Sequence, residues 1–487
     1  MAGITRRDAL KVGGLSVAGM AAAFLGACGS QAGSNAATEA ATSQAANATS
    51  ASAAAHELTI DQNSKLLARS EFIGLDEEVQ LADGTKKPAI NFDNGATTPS
   101  LVSALEAIQT HLPMYGSIGR GKGQKSGWST EQFNNVRPVV LDFFGAPADT
   151  YTCAFSGTAT DGLNKISGAL CEPDSVVLTT RSEHHANDLT WRAHAGEVRY
   201  VEVDELGRLR MEEFEQQLAD RQVNIVSVQA ASNVTGYVHD VHEIARLAHE
   251  AGAIMVVDGA QIASHRAFSL KGETEDQDID FFVCSAHKMY APFGGGCIIG
   301  KTSLMNEHVP AYRGGGMVDV VTDYDVTWLE SPDLWEAGSP NYLGAITLGK
   351  SCEALKQVGF GAIEAHEQTL LRRALDGLSQ ISGVTLYADS NSIEDRVGVL
   401  TFNVDAVPAA DVAERLANEW AIAVRQGEFC AHPLCHRLMG YTDEQILAER
   451  DKPDFSAPAM VRVSMGMYNT EQDVDTLIEA VGKIAQG

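Results

Sequence analysis

The fold is decided by two stretches in the middle of the chain, IMVVDGAQ at residues 254–261 and FFVCSAHK at residues 281–288. Each opens with a continuous apolar run, which is typical of a strand buried on both faces of a sheet. Further β-rich runs occur at Ser175–Thr180, Val198–Val203 and Asn224–Ala230, and helix-like segments at Met211–Gln222 and Val241–Gly252. This alternation predicts an α/β fold with a doubly wound, mainly parallel sheet.

Polar side chains follow three of these predicted strands. Asp258, Lys288 and His184 lie just beyond strand ends, where sheets of this kind bind their ligands. Each residue type is common on protein surfaces, as a helix cap or a solvated charge, so the indication comes from all three together. A lysine can bond to the aldehyde of pyridoxal phosphate, and a carboxylate can keep its ring nitrogen protonated. The arrangement therefore predicts a pyridoxal phosphate site.

The order of several short motifs gives a resemblance to a known family. The motifs lie at Phe92–Pro99, Ser156–Thr158, Ser182–Asn187, Ser232–Gly236, Val257–Gln261, Ser285–Tyr290, Glu336–Asn341, Arg425–Pro433 and Arg462–Thr470. The chain resembles the fold-type I pyridoxal phosphate enzymes of the class V aminotransferase family, and within it the type II cysteine desulfurase/selenocysteine lyase branch. The resemblance implies a large domain with a mainly parallel sheet of the seven-stranded type, a smaller C-terminal α+β domain, and a homodimer.

Roles around the cofactor follow from the resemblance, residue by residue. It implies a covalent bond to the cofactor for Lys288, pairing with the ring nitrogen for Asp258 and contact with the phenolic oxygen for Gln261. It implies stacking on the ring, with a possible proton shuttle, for His184. The residues implied to hold phosphate are Thr158, Ser285 and His287, with Ser339 reaching the phosphate of the neighbouring subunit.

The substrate side is implied in the same way. Asn233 and Arg120 are expected near the substrate, and Arg462 is expected to bind its carboxylate as a bidentate fork. Cys430 aligns with the cysteine that receives sulfur from L-cysteine in desulfurases, with alanine as the product. Two neighbours depart from the family pattern: Phe429 stands where relatives have a small or imidazole-bearing residue, and Glu428 adds a negative charge that would oppose a thiolate if it faced inward.

Two alternatives to desulfuration stay open. The first keeps the cofactor and changes the reaction to epimerisation, transamination or another amino-acid lyase step. The second is a cell-surface binding protein that has kept the fold and lost turnover, although Lys288, Asp258 and His184 are all present.

The N-terminal region has the pattern of an export signal. Thr5–Lys11 resembles a twin-arginine motif, and an apolar stretch then leads to Leu25–Cys28, which resembles a lipobox with Cys28 as the lipidated residue. We expect a signal peptide at 1–27, a flexible Ala/Ser/Thr-rich tether at 28–57, a large domain at 58–348 and a small domain at 349–487. The expected location is extracytoplasmic, with the lipid as the membrane anchor.

Charge and cysteine content narrow the functional classes. The 487 residues carry a net charge of −28, which disfavours nucleic acid as a partner. The eight cysteines form no CxxC pair and no zinc-like spacing with histidine, so we expect no metal site. Cys153, Cys284 and Cys297 lie in apolar runs and are expected to be buried.

Overall fold

The structure is a computed structural model that describes residues 56–119, 121–292, 294–452 and 455–487. The predicted signal peptide, Cys28, nearly all of the predicted tether, and Arg120 lie outside the described residues. Within the described part, no helix is both long and apolar enough to cross a membrane.

The strands follow one another along the whole described chain. They are β1 (Glu78–Gln80), β2 (Lys86–Pro88), β3 (Ile90–Asn91), β4 (Tyr151–Ser156), β5 (Val176–Thr180), β6 (Glu197–Val201), β7 (Ile225–Gln229), β8 (Ile254–Asp258), β9 (Phe281–Ser285), β10 (Gly296–Lys301), β11 (Val318–Val321), β12 (Val326–Trp328), β13 (Val384–Tyr387), β14 (Val399–Val404), β15 (Ile422–Ala423), β16 (Arg425–Gly427) and β17 (Met460–Ser464).

The helices cover the sheets and connect their strands. They are α1 (Val102–His111), α2 (Gln124–Phe143), α3 (Ala159–Leu170), α4 (Leu189–His194), α5 (Met211–Leu218), α6 (Val241–Ala251), α7 (Thr302–Glu307), α8 (Tyr342–Val358), α9 (Phe360–Ser379), α10 (Ala409–Trp420), α11 (His432–Leu438), α12 (Asp443–Glu449) and α13 (Glu471–Gln486). Short 3-10 turns follow three strands of the central sheet, at His185–Asn187, Ile262–Ser264 and Ala286–Lys288.

The central sheet has seven strands in the order β4-β10-β9-β8-β7-β5-β6. The pairs β9/β8, β8/β7, β7/β5 and β5/β6 are parallel, and β10 is antiparallel to both β9 and β4. Strands β5, β7 and β9 are buried throughout, since apolar clusters cover the sheet on either side. The predicted α/β class with a mainly parallel sheet is confirmed; the antiparallel β10 had not been assigned to a strand.

Helix α6 shows how the sequence specifies these connections. The Asp240 side chain accepts a hydrogen bond from the Glu243 N–H and caps the first turn, and Gly252 ends the helix with a left-handed φ of 85°. Val241, Ile244 and Ala248 recur at helical spacing and are buried against the sheet. The predicted helical segment Val241–Gly252 thus corresponds to a helix over Val241–Ala251, with Gly252 as its C-terminal cap.

A second, four-stranded antiparallel sheet is built from the C-terminal part of the chain, in the order β13-β14-β17-β16. Helices α9, α10 and α13 pack against it around a separate apolar cluster. The charged segment at 443–456 contains the short helix α12. Because α8 runs across position 348, the domain boundary at that position stays a prediction.

Candidate active site

The parallel strands bring the predicted cofactor residues to one edge of the central sheet. His184 follows β5, Asp258 ends β8 and Lys288 ends the turn after β9, and the carboxyl ends of parallel strands lie on the same side. A cavity of about 460 Å³ opens at this edge. Its lining includes the predicted residues Thr158, His184, Asn233, Asp258, Gln261, Ser285, His287, Lys288, Cys430 and Arg462.

Asp258 and Lys288 form the charged centre of this cavity. Asp258 is 4% exposed, and burial raises the pKa of its carboxyl although the Ala260 N–H donates to Oδ1 at 3.0 Å. Burial lowers the pKa of the Lys288 amine to about 8, with Asp258 opposing the shift and Arg462 adding to it. Since no cationic side chain of the described residues forms a salt bridge with Asp258, its buried carboxylate suits a protonated ring nitrogen, and an amine with a pKa of about 8 suits a nucleophile and base.

His184 is held as a neutral imidazole. Burial lowers its pKa to about 3, and the positive charges of Lys288 and Arg462 act in the same direction. Its Nδ1 accepts a hydrogen bond from the Ala186 N–H at 3.1 Å, which fixes the ring and leaves the proton on Nε2. A neutral, fixed ring favours the predicted stacking role; proton shuttling would require a charged form that this environment disfavours.

The opposite end of the cavity is lined by hydrogen-bonding groups at the start of α3. Thr158 caps this helix, and its hydroxyl accepts from the Asp161 N–H at 3.2 Å. The Ser285 hydroxyl accepts from the Ala159 N–H at 2.8 Å and is 4% exposed. Hydroxyls beside a twelve-residue helix N-terminus form a site for a phosphate dianion. The residues present therefore fit pyridoxal phosphate at both its ring and its phosphate end.

The substrate side of the cavity is formed around Arg462 on β17. Its Nη2 donates to Asp93 Oδ1 at 3.1 Å and its Nη1 to the Asn233 carbonyl at 3.2 Å, while Nε has no hydrogen-bond partner in the described part of the chain. Asn233 donates through Nδ2 to the Phe429 carbonyl at 2.7 Å, and its buried Oδ1 also finds no partner among the described residues. Two buried polar atoms without partners at one cavity wall indicate a place where a polar ligand completes the hydrogen bonding.

Cys430 is delivered to the same cavity by the loop between β16 and α11. It is exposed and unpaired, as all seven described cysteines are free. The His185 N–H donates to the Cys430 carbonyl at 2.6 Å. The Glu428 carboxylate does not line the cavity; it contacts His436 Nε2 at 2.5 Å and His432 Nδ1 at 3.5 Å. The Glu428 carboxylate therefore faces two imidazoles, and the inward orientation that would oppose a Cys430 thiolate is not adopted.

Ser339 lies apart from this cavity. It is exposed and lines a second cavity of about 590 Å³ together with Arg137 and Glu336, which form a 2.6 Å ion pair. Within one chain, Ser339 and the cofactor residues are thus not brought together. Cys153, Cys284 and Cys297 are buried as predicted. Among the described residues, no group of three or more His, Cys, Asp or Glu side chains could hold a metal ion.

Sequence reasoning assigned no individual role to three residues that shape the site. Asp93 contacts both Arg462 and Arg425, whose Nη2 lies 2.7 Å from Asp93 Oδ2. Glu183 is buried beneath the site, where burial raises its pKa to about 8 against hydrogen bonds from Thr180 and Asn187. Asp93, Arg425 and Glu183 all lie inside recognised motifs, so the available signal was their position within those motifs.

Fold and site together define a pyridoxal phosphate-dependent enzyme of the α/β class. The aminotransferase class-V family matches residues 90–477, and the chain belongs to this family, whose members use pyridoxal phosphate.

Individual relatives agree with this assignment. A probable cysteine desulfurase of Halalkalibacterium halodurans is 33% identical over 84% of this chain and 95% of its own length. A cysteine desulfurase of Haloferax volcanii is 33% identical over 82% and 90%. Among solved structures, an apo cysteine desulfurase of Thermococcus onnurineus has a TM-score of 0.73 at 28% identity, covering 82% of this chain and 95% of that one. The cysteine desulfurase of Escherichia coli in an S-sulfonic acid form has a TM-score of 0.71 at 27% identity, covering 86% and 97%.

Proposed function

We propose that this enzyme removes sulfur from L-cysteine, receives it on Cys430 and releases alanine. The single observation that carries the proposal is the position of an exposed, unpaired thiol on the same cavity as Lys288 and Arg462. The similarity to proteins named cysteine desulfurases supports the same reaction.

Arg462 and Asn233 orient the substrate. The guanidinium is already fixed by Asp93 and the Asn233 carbonyl, so a substrate carboxylate at its remaining donor is bound without reorganising the side chain. Because Arg462 is 3% exposed, the interaction takes place away from bulk water.

Lys288 and Cys430 carry out the proton and sulfur transfers. Pyridoxal phosphate, when bound, supplies the electron sink that stabilises negative charge at the substrate α-carbon. The Lys288 amine, with a pKa of about 8, is available in its neutral form to accept the α-proton. The Cys430 thiolate attacks the substrate sulfur, so that an S–S bond forms while the Cβ–S bond breaks. The electron pair of that bond stays on the substrate, which takes up protons and leaves as alanine, and the enzyme retains a persulfide.

Cysteine-dependent alanine release tests the proposal. Purified Cys430→Ala protein is expected to bind the cofactor normally and to lose nearly all alanine release from L-cysteine in the presence of a reductant. Mass spectrometry of the wild type after cysteine treatment should show one added sulfur on the peptide that contains Cys430. Alanine release from Cys430→Ala at the wild-type rate would refute the persulfide step, and assays on a panel of other amino acids would then separate epimerisation, transamination and other lyase reactions.

We also propose that the protein is exported, anchored through a lipid on Cys28, and homodimeric. Support for export and lipidation comes from the order of the twin-arginine motif, apolar stretch and lipobox in residues 1–28. Support for the dimer comes from the position of Ser339, which is exposed and lines a different cavity from the cofactor residues of its own chain. The phosphate contact that the resemblance implies for Ser339 therefore requires the cofactor site of a second subunit. Fatty-acid labelling of wild type and Cys28→Ala tests the anchor, and sedimentation of the tail-free protein tests the dimer.

A further inference from the structure

The Cys430 loop contains a strained turn. The Ala431 N–H donates to the Glu428 carbonyl at 2.8 Å, which closes a four-residue turn with Phe429 and Cys430 at its centre. Both central residues have positive φ values, 50° for Phe429 and 56° for Cys430. Turns with two left-handed residues strongly favour Asn and Gly, and each non-glycine residue in this region costs on the order of 1 kcal/mol. Surrounding contacts must therefore hold the turn in place.

Two of these contacts fix the carbonyl groups of the turn. Asn233 Nδ2 donates to the Phe429 carbonyl at 2.7 Å, and the His185 N–H donates to the Cys430 carbonyl at 2.6 Å. The Phe429 ring is buried beneath the Arg462 guanidinium, 5.2 Å from its centroid. These contacts hold the side of the turn that faces the cavity.

The outer side of the turn is held by Glu428. Its carboxylate lies between His436 Nε2 and His432 Nδ1, both on α11, and its carbonyl accepts from the Ala431 N–H and from Cys435 Sγ at 3.3 Å. The Glu428 and His436 side chains are 9% and 10% exposed, so this contact is largely shielded from water. The same residue thus closes the turn through its backbone and ties it to the following helix through its side chain.

We propose that Glu428 is a positioning residue, which holds the strained 428–431 turn so that the Cys430 thiol faces the substrate sulfur. This inference rests on the proposed function, because it assigns the turn a role in sulfur transfer. Without the carboxylate, the turn relaxes toward ordinary negative φ values and the thiol leaves its attack position. A reacting group displaced by about 1 Å loses up to two orders of magnitude in rate, although substrate binding is unaffected.

The test compares Glu428→Ala with Glu428→Gln. In the alanine variant we expect kcat for alanine release to fall on the order of tenfold, with KM for cysteine and the cysteine-induced change in the cofactor spectrum unchanged. Glutamine preserves length and a hydrogen-bond acceptor and should restore most of kcat. Amide hydrogen exchange of peptides spanning 428–436 should be faster in the alanine variant than in the wild type.

Glu202→Gln is the matched control. Glu202 also binds α11, through Arg437 at 2.7 Å, but it does not contact the turn. The Glu202→Gln variant should leave kcat and the amide hydrogen exchange of the 428–436 segment unchanged. The positioning role is overturned if Glu428→Ala retains wild-type kcat, if its exchange is unchanged, or if Glu202→Gln has the same effects. Hydrogen exchange needs no turnover, so it decides whether Glu428 holds the turn even if Cys430→Ala shows that sulfur transfer is wrong.

Discussion

The two walls of the cavity are built in different ways. One wall, which we call the sheet wall, is formed by residues at the ends of central-sheet strands, in the turns that follow them, or at the start of α3. They are Thr158, His184, Asp258, Ser285 and Lys288. The other, the loop wall, comprises Arg425, Gln426, Phe429, Cys430 and Arg462, which come from β16, β17 and the loop after β16; Asp93 pairs with both arginines. In the sheet wall Asp258 and Ser285 are buried and the other three residues are half-buried, whereas the loop wall includes the exposed Arg425 and Cys430.

This difference separates cofactor chemistry from the choice of reaction. The sheet wall supplies what any amino-acid reaction on pyridoxal phosphate needs: a base, an anion for the ring and a phosphate site. The loop wall supplies the carboxylate anchor and the thiol, which determine what is bound and which bond is broken. Changes in the sheet wall should therefore abolish every reaction, whereas changes in the loop wall should alter particular steps.

The largest effect is expected for Lys288→Ala. Loss of the amine removes both the covalent attachment of the cofactor and the base for the α-proton, so kcat should fall by about 10³-fold or more. The visible absorbance of the purified protein should change at the same time. Lys350→Ala is the control, because Lys350 is not among the residues that line the cavity and pairs with Glu353 at 2.8 Å. Substantial alanine release by Lys288→Ala would contradict the conclusion that the sheet wall is required for every reaction.

The sheet wall could be predicted from sequence because local patterns specify it. Continuous apolar strands place Asp258 and Lys288 at the carboxyl edge of the central sheet, independently of the surface residues. The order of the motifs then identifies the other cofactor residues. The antiparallel β10 was not assigned, because a short apolar run does not show its direction or even distinguish strand from helix.

The loop wall could be predicted only in part. Cys430 and Arg462 were found through motifs, but the direction of the Glu428 side chain depends on His432 and His436 after α11 has formed. The positive φ values at Phe429 and Cys430 are likewise imposed by tertiary contacts, against the local preference of both residues. Such features arise from packing and cannot be obtained from a sequence window.

Arg462→Lys should give the next largest effect and sharpen the role of the loop wall. Lysine keeps the charge but cannot contact Asp93, the Asn233 carbonyl and a substrate carboxylate with one planar fork. KM for cysteine should rise about 10- to 100-fold, which corresponds to about 1.4–2.8 kcal/mol. Cofactor absorbance should stay normal. Arg415→Lys, at the half-buried Arg415 that pairs with Glu419, serves as the control. An unchanged KM in Arg462→Lys would show that Arg462 does not bind the substrate.

The pH dependence of cofactor incorporation tests the sheet wall through the buried amine of Lys288. The neutral Lys288 amine attacks the aldehyde, and burial lowers its pKa to about 8, so the rate should rise with pH and level off above this value. Between about pH 7 and 9 the neutral fraction increases about tenfold. His184, with a pKa of about 3, should add no change in this range. Stopped-flow absorbance on cofactor-free protein measures the profile, and a midpoint near 10 would contradict the buried environment of Lys288.

The smallest effect is expected for Cys435→Ala, which separates the loop-wall thiol of Cys430 from the buried thiol nearby. Cys435 lies five positions after Cys430 but is buried in an apolar cluster with Leu434 and Met460, and burial raises the pKa of its thiol far above the usual range. A buried, protonated thiol packs as a small apolar group and is a poor nucleophile. Its removal should cost about 1 kcal/mol of unfolding free energy and change kcat by less than about twofold, since the Ala431 N–H still occupies the Glu428 carbonyl. Thermal unfolding and alanine release measure the two quantities. A loss of activity as large as that of Cys430→Ala, with the fold intact, would mean that sulfur transfer depends on both cysteines and that the loop wall does not act through one exposed thiol.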